Sequence, residues 1–253
     1  MLIRAALLVI LSLMPAQAEQ VLADLSQNRV AITTSFEGSD IFVYGAVSRI
    51  SPPPADEGPL EVIVEIVGPI SGIMVRRKER KLGIWVNTDA VEVDKAPHFV
   101  AIASTGPLEE VVSFTEMMRH GIGYEHTVKL IDAPADIEDV QEFRRAAIRI
   151  REVDGLYRKL PGTVRLTNET LFSTSIDLPS NLVEGDYTAR VFLMRDKAVL
   201  DSFETTIAVR KAGLERWIYT LAHEQPLVYG ILSILVALFA GWGAAQVFAL
   251  IRR

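Results

Sequence analysis

Hydrophobic and polar residues alternate with a period of two in several short stretches of the chain. The alternation is visible at residues 30–36, 60–66, 172–178, 187–193 and 203–209, and further short strands fit residues 73–78, 82–86 and 99–103. This period is typical of β-strands that bury one face. Residues 41–47 form a continuous apolar run, which predicts a buried strand. The pattern predicts a mainly β protein with two immunoglobulin-like β-sandwich regions, at residues 19–105 and 161–211.

Turn signals separate the predicted strands. Gly68-Pro69 and Asn87-Thr88-Asp89 predict turns, and Arg195-Asp196-Lys197 predicts the turn of a β-hairpin. The run from Gly185 to Ala189 resembles the tyrosine corner of immunoglobulin-type sandwiches, with Tyr187 as the tyrosine. That resemblance concerns the fold and carries no functional conclusion.

A change to a helical period predicts two helices within the connecting region, residues 106–160. Pro107 suits the first turn of the first helix, and Gly121 ends it. Asp136 is the expected N-cap of the second helix, which carries an apolar stripe and ends before Gly155. Because these helices connect two strand-rich regions, the predicted class is α+β.

An apolar segment stands at each end of the chain. Residues 227–251 carry no charge, and a helix of that length reaches about 37 Å, enough to cross a hydrocarbon core of about 30 Å. This segment predicts one C-terminal transmembrane helix. Residues 213–225 before it predict a short amphipathic helix in the membrane interface. Residues 1–18 have Arg4 before an apolar run and small residues at their end, which predicts a cleaved signal peptide.

The predicted orientation is set by these two ends. A signal peptide directs the export of the chain behind it, and the arginines at 252–253 belong on the cytoplasmic side of a membrane. We therefore expect a single-pass protein of the bacterial inner membrane. Residues 19 to about 225 are expected in the periplasm, with a cytoplasmic tail of residues 252–253.

Composition narrows the function classes. The chain has no cysteine, which excludes disulfides, thiolate metal sites and a cysteine nucleophile. Its formal net charge is −6, so we expect no nucleic-acid partner. Sequence motifs of hydrolases, zinc enzymes, phosphate-binding loops and dinucleotide-binding folds are absent. We therefore expect no catalytic residue and no cofactor, and predict that the protein is not an enzyme.

Histidine and methionine give one candidate metal site. Met117, Met118 and His120 could bind copper, but their spacing matches no tight ligand pattern. Methionine in a helix also commonly fills a hydrophobic core. The sequence therefore predicts no metal site.

The most unusual charge feature is the run of basic residues from Arg76 to Lys81, interrupted by one glutamate. Arg76, Arg77 and Lys78 are candidates for binding a small anion or an acidic partner, since arginine offers paired donors. The alternative is a solvated hairpin end whose charges prevent edge-to-edge pairing of strands. Trp85 is a candidate to stack beside the arginines, and its alternative role is that of a core aromatic.

The predicted span carries small residues at a spacing of four. Ala237, Gly241 and Ala245 would share one face of the helix, which lets another transmembrane helix approach closely. The alternative is that small residues are simply frequent in membrane helices. No ionisable residue lies within the span, which argues against an ion pathway through this helix itself.

Several short segments together resemble the alphaproteobacterial putative transmembrane protein family. These segments are residues 41–46, Val67-Gly68-Pro69, Arg76-Arg77-Lys78 leading to residues 83–87, and residues 104–108, 211–216 and 226–230. The resemblance covers nearly the whole chain after residue 18 and implies a bacterial membrane protein. It implies no activity and transfers no catalytic residue. It also points to a sulfite-exporter-like permease as a partner.

The sequence supports two functional hypotheses. The leading one is a non-enzymatic accessory or interaction subunit of a membrane complex, anchored in the lipid bilayer beside a membrane-protein partner. The alternative is a periplasmic module that binds a small anion at Arg76-Arg77-Lys78.

Overall fold

The structure is a computed structural model that describes residues 19–33, 36–49, 58–131, 137–212 and 214–251. For residues 214–216, 220 and 245–251 it describes the backbone alone. The predicted signal peptide, the helix cap Asp136 and the arginines at 252–253 lie outside the described residues. The described part of the chain is mainly β, as the alternating pattern predicts.

Twelve strands and six helices lie within the described residues. The strands are β1 (Gln20–Leu25), β2 (Arg29–Ile32), β3 (Ser39–Ser48), β4 (Glu61–Val67), β5 (Ile70–Lys81), β6 (Ile84–Pro97), β7 (Val100–Ser104), β8 (Tyr157–Pro161), β9 (Arg165–Thr167), β10 (Leu171–Leu178), β11 (Gly185–Arg195) and β12 (Ala198–Lys211). The helices are α1 (Leu108–Val111), α2 (Phe114–His120), α3 (Tyr124–Thr127), α4 (Val140–Val153), α5 (Leu214–Glu224) and α6 (Pro226–Ile251).

The strands form two large sheets and one separate hairpin. The first sheet has the order β1-β3-β10-β9, the second has the order β2-β12-β11-β4-β7-β8, and β5 pairs with β6. Strands β7 and β8 run parallel, whereas the other pairs with a described register are antiparallel. Each large sheet takes strands from both sides of the helical segment. The two predicted sandwich regions, 19–105 and 161–211, therefore interleave, because alternation identifies a strand but not its partner.

The core lies between the two large sheets, where β1 contacts β11 and β10 contacts β7. Strand β10 buries every second residue, from Phe172 to Leu178. Strand β4 is instead buried on both faces from Val62 to Val67, since α1 also contacts it. Tyr187 is fully buried, and its hydroxyl donates to the carbonyl oxygen of Val183 at 2.9 Å. This is the contact of a tyrosine corner, while the immunoglobulin-like sandwich itself stays a prediction.

The β5–β6 hairpin differs from its predicted form. The chain reverses at Leu82 and Gly83, which both have positive φ (51° and 87°) as in a type I′ turn. The turn predicted at Asn87-Thr88-Asp89 is wrong, because these residues lie within β6, with Asn87 opposite Lys78. Gly83 adopts the left-handed conformation more easily than the polar residues that suggested a turn further along.

The helical segment is more broken than its sequence pattern predicts. The first predicted helix is interrupted at Val112 and Ser113, between α1 and α2. The hydroxyl of Ser113 accepts the N–H of Glu116 at 3.3 Å and so caps α2. Gly121 ends α2 in the left-handed conformation, as predicted, and α4 ends shortly before Gly155.

The described residues divide into two compact units, one within residues 19–30 and 37–209 and the other within residues 31–36 and 210–251. Within the second unit, α5 and α6 contact each other. Helix α5 spans most of the predicted amphipathic segment, 213–225, and α6 includes the whole predicted span, 227–251. Pro226 occupies the first position of α6, where its missing N–H has no helical partner to lose.

Candidate functional site

Arg77 ties the β5–β6 hairpin to helix α4. Its Nη1 lies 3.4 Å from the carboxylate of Asp89, and its Nη2 forms an ion pair with Asp139. The guanidinium carbon lies 4.7 Å from the ring centroid of Phe143 on α4. The hydrogen bond to Asp139 raises the pKa of Arg77 above its ordinary value. Arg77 thus has two acidic partners within the protein.

Arg76 and Lys78 differ from Arg77 because both side chains are exposed. All three basic residues line a cavity of about 320 Å³ between β5 and α4. Arg149 adds a fourth cation to its wall, and Glu142 adds an acid. These basic residues therefore line one groove, in which the central arginine is already paired. Binding of an anion or partner there stays a prediction.

Trp85 lies at the tip of the hairpin and not in the core. It stands opposite Arg80, and 68% of its surface is exposed. Leu82 and Ile84 beside it are exposed as well. The alternative that assigned Trp85 to the core is therefore wrong, because residues 78–85 at this end of the hairpin are all exposed.

The outer face of the first sheet carries an exposed apolar patch. Leu22 on β1, Phe42 and Tyr44 on β3, and Leu171 on β10 form what we call the sheet patch. Leu22 and Leu171 flank Ala46 on opposite sides, and the rings of Phe42 and Tyr44 stack with centroids 5.9 Å apart. The exposed fractions of Leu22 and Leu171 are 60% and 58%. Such a patch is unusual on the solvent face of an antiparallel sheet.

The sheet patch corrects one prediction from sequence. The apolar run at residues 41–47 predicts a buried strand, yet β3 buries only one of its faces. Ile41, Val43 and Val47 point into the core, whereas Phe42 and Tyr44 point outward. The sequence signal for an exposed patch was present in this run, because an apolar run in a one-sided sheet leaves half its side chains uncovered.

An ion pair between a fully buried carboxylate and a half-buried arginine lies at the centre of the second sheet. Glu65 on β4 is fully buried and stands directly opposite Arg190 on β11, with which it pairs. Its other oxygen accepts the N–H of Gly123 at 3.0 Å. Arg190 also donates to the carbonyl oxygens of His120 and Gly121, at 2.9 and 3.0 Å. The pair therefore fixes the end of α2 and the turn after it onto the sheet.

Burial raises the pKa of Glu65, and the charge of Arg190 opposes that shift. Sequence reasoning missed this residue, because the alternation in residues 60–66 put Glu65 on the solvent face. A cleft of about 590 Å³ lies beside the pair. Its polar wall includes Lys95, Lys129, Arg190, Asp186, Glu204 and His126. Charges of both signs line this cleft, so its electrostatics select neither anions nor cations.

His120, the histidine of the copper hypothesis, contacts a carboxylate and an aromatic ring. His120 Nε2 lies 3.3 Å from Glu116 Oε2, and its ring lies against Phe192. His126 packs its ring against Phe114, with centroids 5.5 Å apart. Within the described ranges, no three histidine, aspartate or glutamate side chains are grouped closely enough to hold a metal ion.

Helix α6 is the candidate membrane span. Residues Pro226–Ala244 are long and apolar enough to cross a bilayer, with a mean hydropathy of 2.0, and none of that stretch is buried. Ala237 and Gly241 lie on this helix one turn apart, and outside the adjacent residues and the backbone of the helix itself no described atom lies within 4 Å of a Cβ added at Gly241. The side chain of Ala245 lies outside the described residues. The proposed small-residue face is thus uncovered where it is described.

Comparison with known proteins identifies a family. The sequence model of the family described as "Putative transmembrane protein (Alph_Pro_TM)" matches residues 20–250. No protein with a curated description matches the sequence. Among solved structures, the chain is similar to the crystal structure of Spo0M, a sporulation control protein from Bacillus subtilis, at 10% identity and a TM-score of 0.26. The match covers 78% of this chain and 50% of that one, and a likeness this weak carries no argument.

Proposed function

Because the chain belongs to this family of transmembrane proteins, we propose that it is a non-enzymatic interaction subunit of a membrane complex. In this proposal α6 crosses the inner membrane once, the β-rich unit lies in the periplasm and the C-terminus lies in the cytoplasm. The observation that carries the proposal is the sheet patch. The expected partner is the extramembrane part of another membrane protein, and the resemblance to the family makes a sulfite-exporter-like permease one candidate.

The composition of the sheet patch suits a protein partner. Aromatic residues are enriched at the centres of protein interfaces, where Tyr combines a large contact area with a hydrogen-bonding group. The patch has such a centre in Phe42 and Tyr44, with Leu22 and Leu171 beside them. Polar residues continue the same face, since Ser173 stands opposite Tyr44 in the strand register. An apolar centre with a polar rim is the usual anatomy of a protein interface.

Partner recovery from detergent tests the proposal. The tagged full-length protein is purified in mild detergent from its native host, and co-purifying membrane proteins are identified by mass spectrometry. Tyr44→Ser with Leu171→Ser should reduce recovery of the partner by tenfold or more, the scale of a lost interface centre. Val153→Ser, at an exposed apolar position of α4, is the matched control and should leave recovery unchanged. Recovery of the protein alone, or equal recovery with both variants, would reject the proposal.

The span offers a second arm of the same experiment. The spacing of Ala237, Gly241 and Ala245 supports close packing of α6 against a partner helix. Gly241→Leu should therefore weaken partner recovery. Gly243→Leu adds the same side chain about 200° further around the helix and should have no effect. Equal effects of the two variants would reject packing through this face.

The anion-binding alternative rests on the cationic groove between β5 and α4. Arg76, Lys78 and Arg149 provide three cations there that are separate from the Asp89 and Asp139 pairs of Arg77. Calorimetry on the full-length protein in detergent, titrated with sulfite, sulfate and phosphate, tests this function. Binding that Arg76→Ala with Lys78→Ala abolishes would establish it. The absence of heat with all three anions would exclude it.

A further inference from the structure

The tip of the β5–β6 hairpin combines exposed apolar and basic residues. We call residues 78–85 the hairpin tip, and all eight of them are exposed. Leu82 has no contact that reduces its exposure, and Ile84 and Trp85 are each about two-thirds exposed. Water is an unfavourable environment for three large apolar side chains on one turn.

The turn itself carries an apolar residue where polar ones are usual. Leu82 has φ of 51°, a conformation that favours glycine, asparagine and aspartate. The other described non-glycine residues with positive φ are all polar: Asn168, Glu169, Asp196 and Lys197. Leu82 is therefore not explained by the geometry of the turn, and its exposed side chain gains nothing from the rest of the fold.

The charges of the hairpin tip are mainly positive, although the whole chain is acidic. Lys78, Arg80 and Lys81 are exposed, and Glu79 is the single acid of the tip. The nearest approach of Glu79 to a cation, Lys81 Nζ, is 3.9 Å between two exposed side chains. An exposed pair at that distance leaves the positive charge largely available to a ligand.

Apolar side chains project from both faces of the hairpin at its tip. Arg80 stands opposite Trp85 and Lys81 stands opposite Ile84. Because successive residues of a strand point to opposite faces, Ile84 and Trp85 lie on different faces of the ribbon. A protein surface would cover one face, whereas the headgroup region of a bilayer surrounds both. Tryptophan with lysine and arginine is also the usual composition of protein segments at the membrane interface.

We propose that the hairpin tip inserts Leu82, Ile84 and Trp85 into the headgroup region of a bilayer that contains anionic lipid. Lys78, Arg80 and Lys81 then lie against the lipid phosphates. This lipid-binding site is independent of the sheet patch, and it requires no protein partner. It gives the β-rich unit its own attachment to lipid, in addition to the span.

A single label at the tip tests this proposal. The chain has no cysteine, so Leu82→Cys creates one labelling site for an environment-sensitive NBD fluorophore. The labelled full-length protein is reconstituted into vesicles of phosphatidylcholine alone or of phosphatidylcholine with phosphatidylglycerol. In the anionic vesicles we expect a blue-shifted emission and quenching by lipids that carry a nitroxide in the acyl chain. Val153→Cys, at an exposed position of α4, carries the control label and should stay in water in both vesicles.

Charge variants distinguish insertion from a general effect of reconstitution. Each basic residue near an anionic surface strengthens binding about fivefold, so Arg80→Gln with Lys81→Gln should lower the ratio of inserted to exposed label about 25-fold. Added salt should lower it as well. Circular dichroism verifies that the labelled protein is folded both with and without the two charge substitutions. A label at position 82 that stays in water in anionic vesicles, or that moves only when a co-purified protein is added, would overturn the proposal.

Discussion

Replacing Arg190 by methionine should destabilise the β-rich unit in a pH-dependent way. The substitution removes the positive charge that faces the fully buried carboxylate of Glu65. It also leaves the carbonyl oxygens of His120 and Gly121 without their donor. Breaking a buried ion pair by removing one partner typically costs about 3–5 kcal/mol. We expect a loss of this size at pH 7.

The contribution of Glu65 to that loss has an upper limit. In the variant, the unpaired carboxylate of Glu65 can avoid its buried charge by taking up a proton. Protonation costs about 1.36 kcal/mol for each pH unit above the ordinary pKa of 4.5, so at pH 7 the limit is about 3.4 kcal/mol. At pH 5 the same limit is about 0.7 kcal/mol. The folded-state pKa of Glu65 in the variant lies above the unfolded value, so the penalty is present at high pH and fades as the pH falls. The loss should therefore shrink by up to about 2.7 kcal/mol between pH 7 and pH 5.

Urea unfolding of the full-length protein in detergent, followed by circular dichroism, measures this loss at both pH values. Glu65→Gln combined with Arg190→Met should recover part of it, since the amide oxygen can still accept the N–H of Gly123 without a buried charge. Arg145→Met is the control, because its pair with Glu142 is more than half exposed and should contribute less than about 1 kcal/mol. A loss below about 1 kcal/mol for Arg190→Met, or an equal loss at pH 5 and pH 7, would refute this reasoning.

Three further substitutions test other parts of the fold by thermal or urea unfolding. Tyr187→Phe removes the hydrogen bond of the tyrosine corner and should cost about 0.5–1.5 kcal/mol, and an unchanged stability would show that this bond contributes nothing. Burial, and then the charge of Arg151, lower the pKa of His98 below 6.5. Its contribution to stability is therefore present above pH 6.5 and is lost as the pH falls through the folded-state pKa. His98→Gln should remove this pH dependence of stability, and an unaltered pH profile would contradict the prediction. Gly45→Ala on β3 would place a Cβ 2.2 Å from the carbonyl oxygen of Leu22 on β1 and 2.4 Å from the ring of Phe172 on β10. It should therefore lower the free energy of unfolding by about 1–3 kcal/mol or more. A neutral effect would mean that β1 or β10 moves away from β3 at little cost.

The positions of most strands could be predicted from sequence, but their partners could not. The alternation at residues 172–178 matches β10 (Leu171–Leu178), and the apolar segment 227–251 lies within α6. Alternation of apolar and polar residues shows that a strand buries one face, but it does not identify the strand that pairs with it. Strand β10 pairs with β3, from far earlier in the chain, and this pairing combined the two predicted sandwich regions.

The basic run was visible in the sequence, but the different contacts of its three residues were not. Arg76, Arg77 and Lys78 are equivalent in the sequence, yet only Arg77 reaches Asp139, which lies 62 residues away. A register shift between Arg76 and Lys78 also disturbs the alternation that would assign their faces. Glu65 was missed for a related reason, since its burial depends on the helical segment that covers a second face of β4.

The interleaved strand order has a consequence for how the protein is made. Strands β1 and β3 are made close together and can pair early. The other neighbour of β3 is β10, which is made more than a hundred residues later, so that edge of β3 stays unpaired until then. At a synthesis rate of about 5–20 residues per second, that wait is on the order of ten seconds. The edge strand β2 stays unpaired for even longer, because its neighbour in the sheet is β12, the last of the described strands. The first strands therefore stay incompletely paired while the rest of the chain is made, and a chain truncated before β12 leaves both β2 and β11 with an open edge, where aggregation begins.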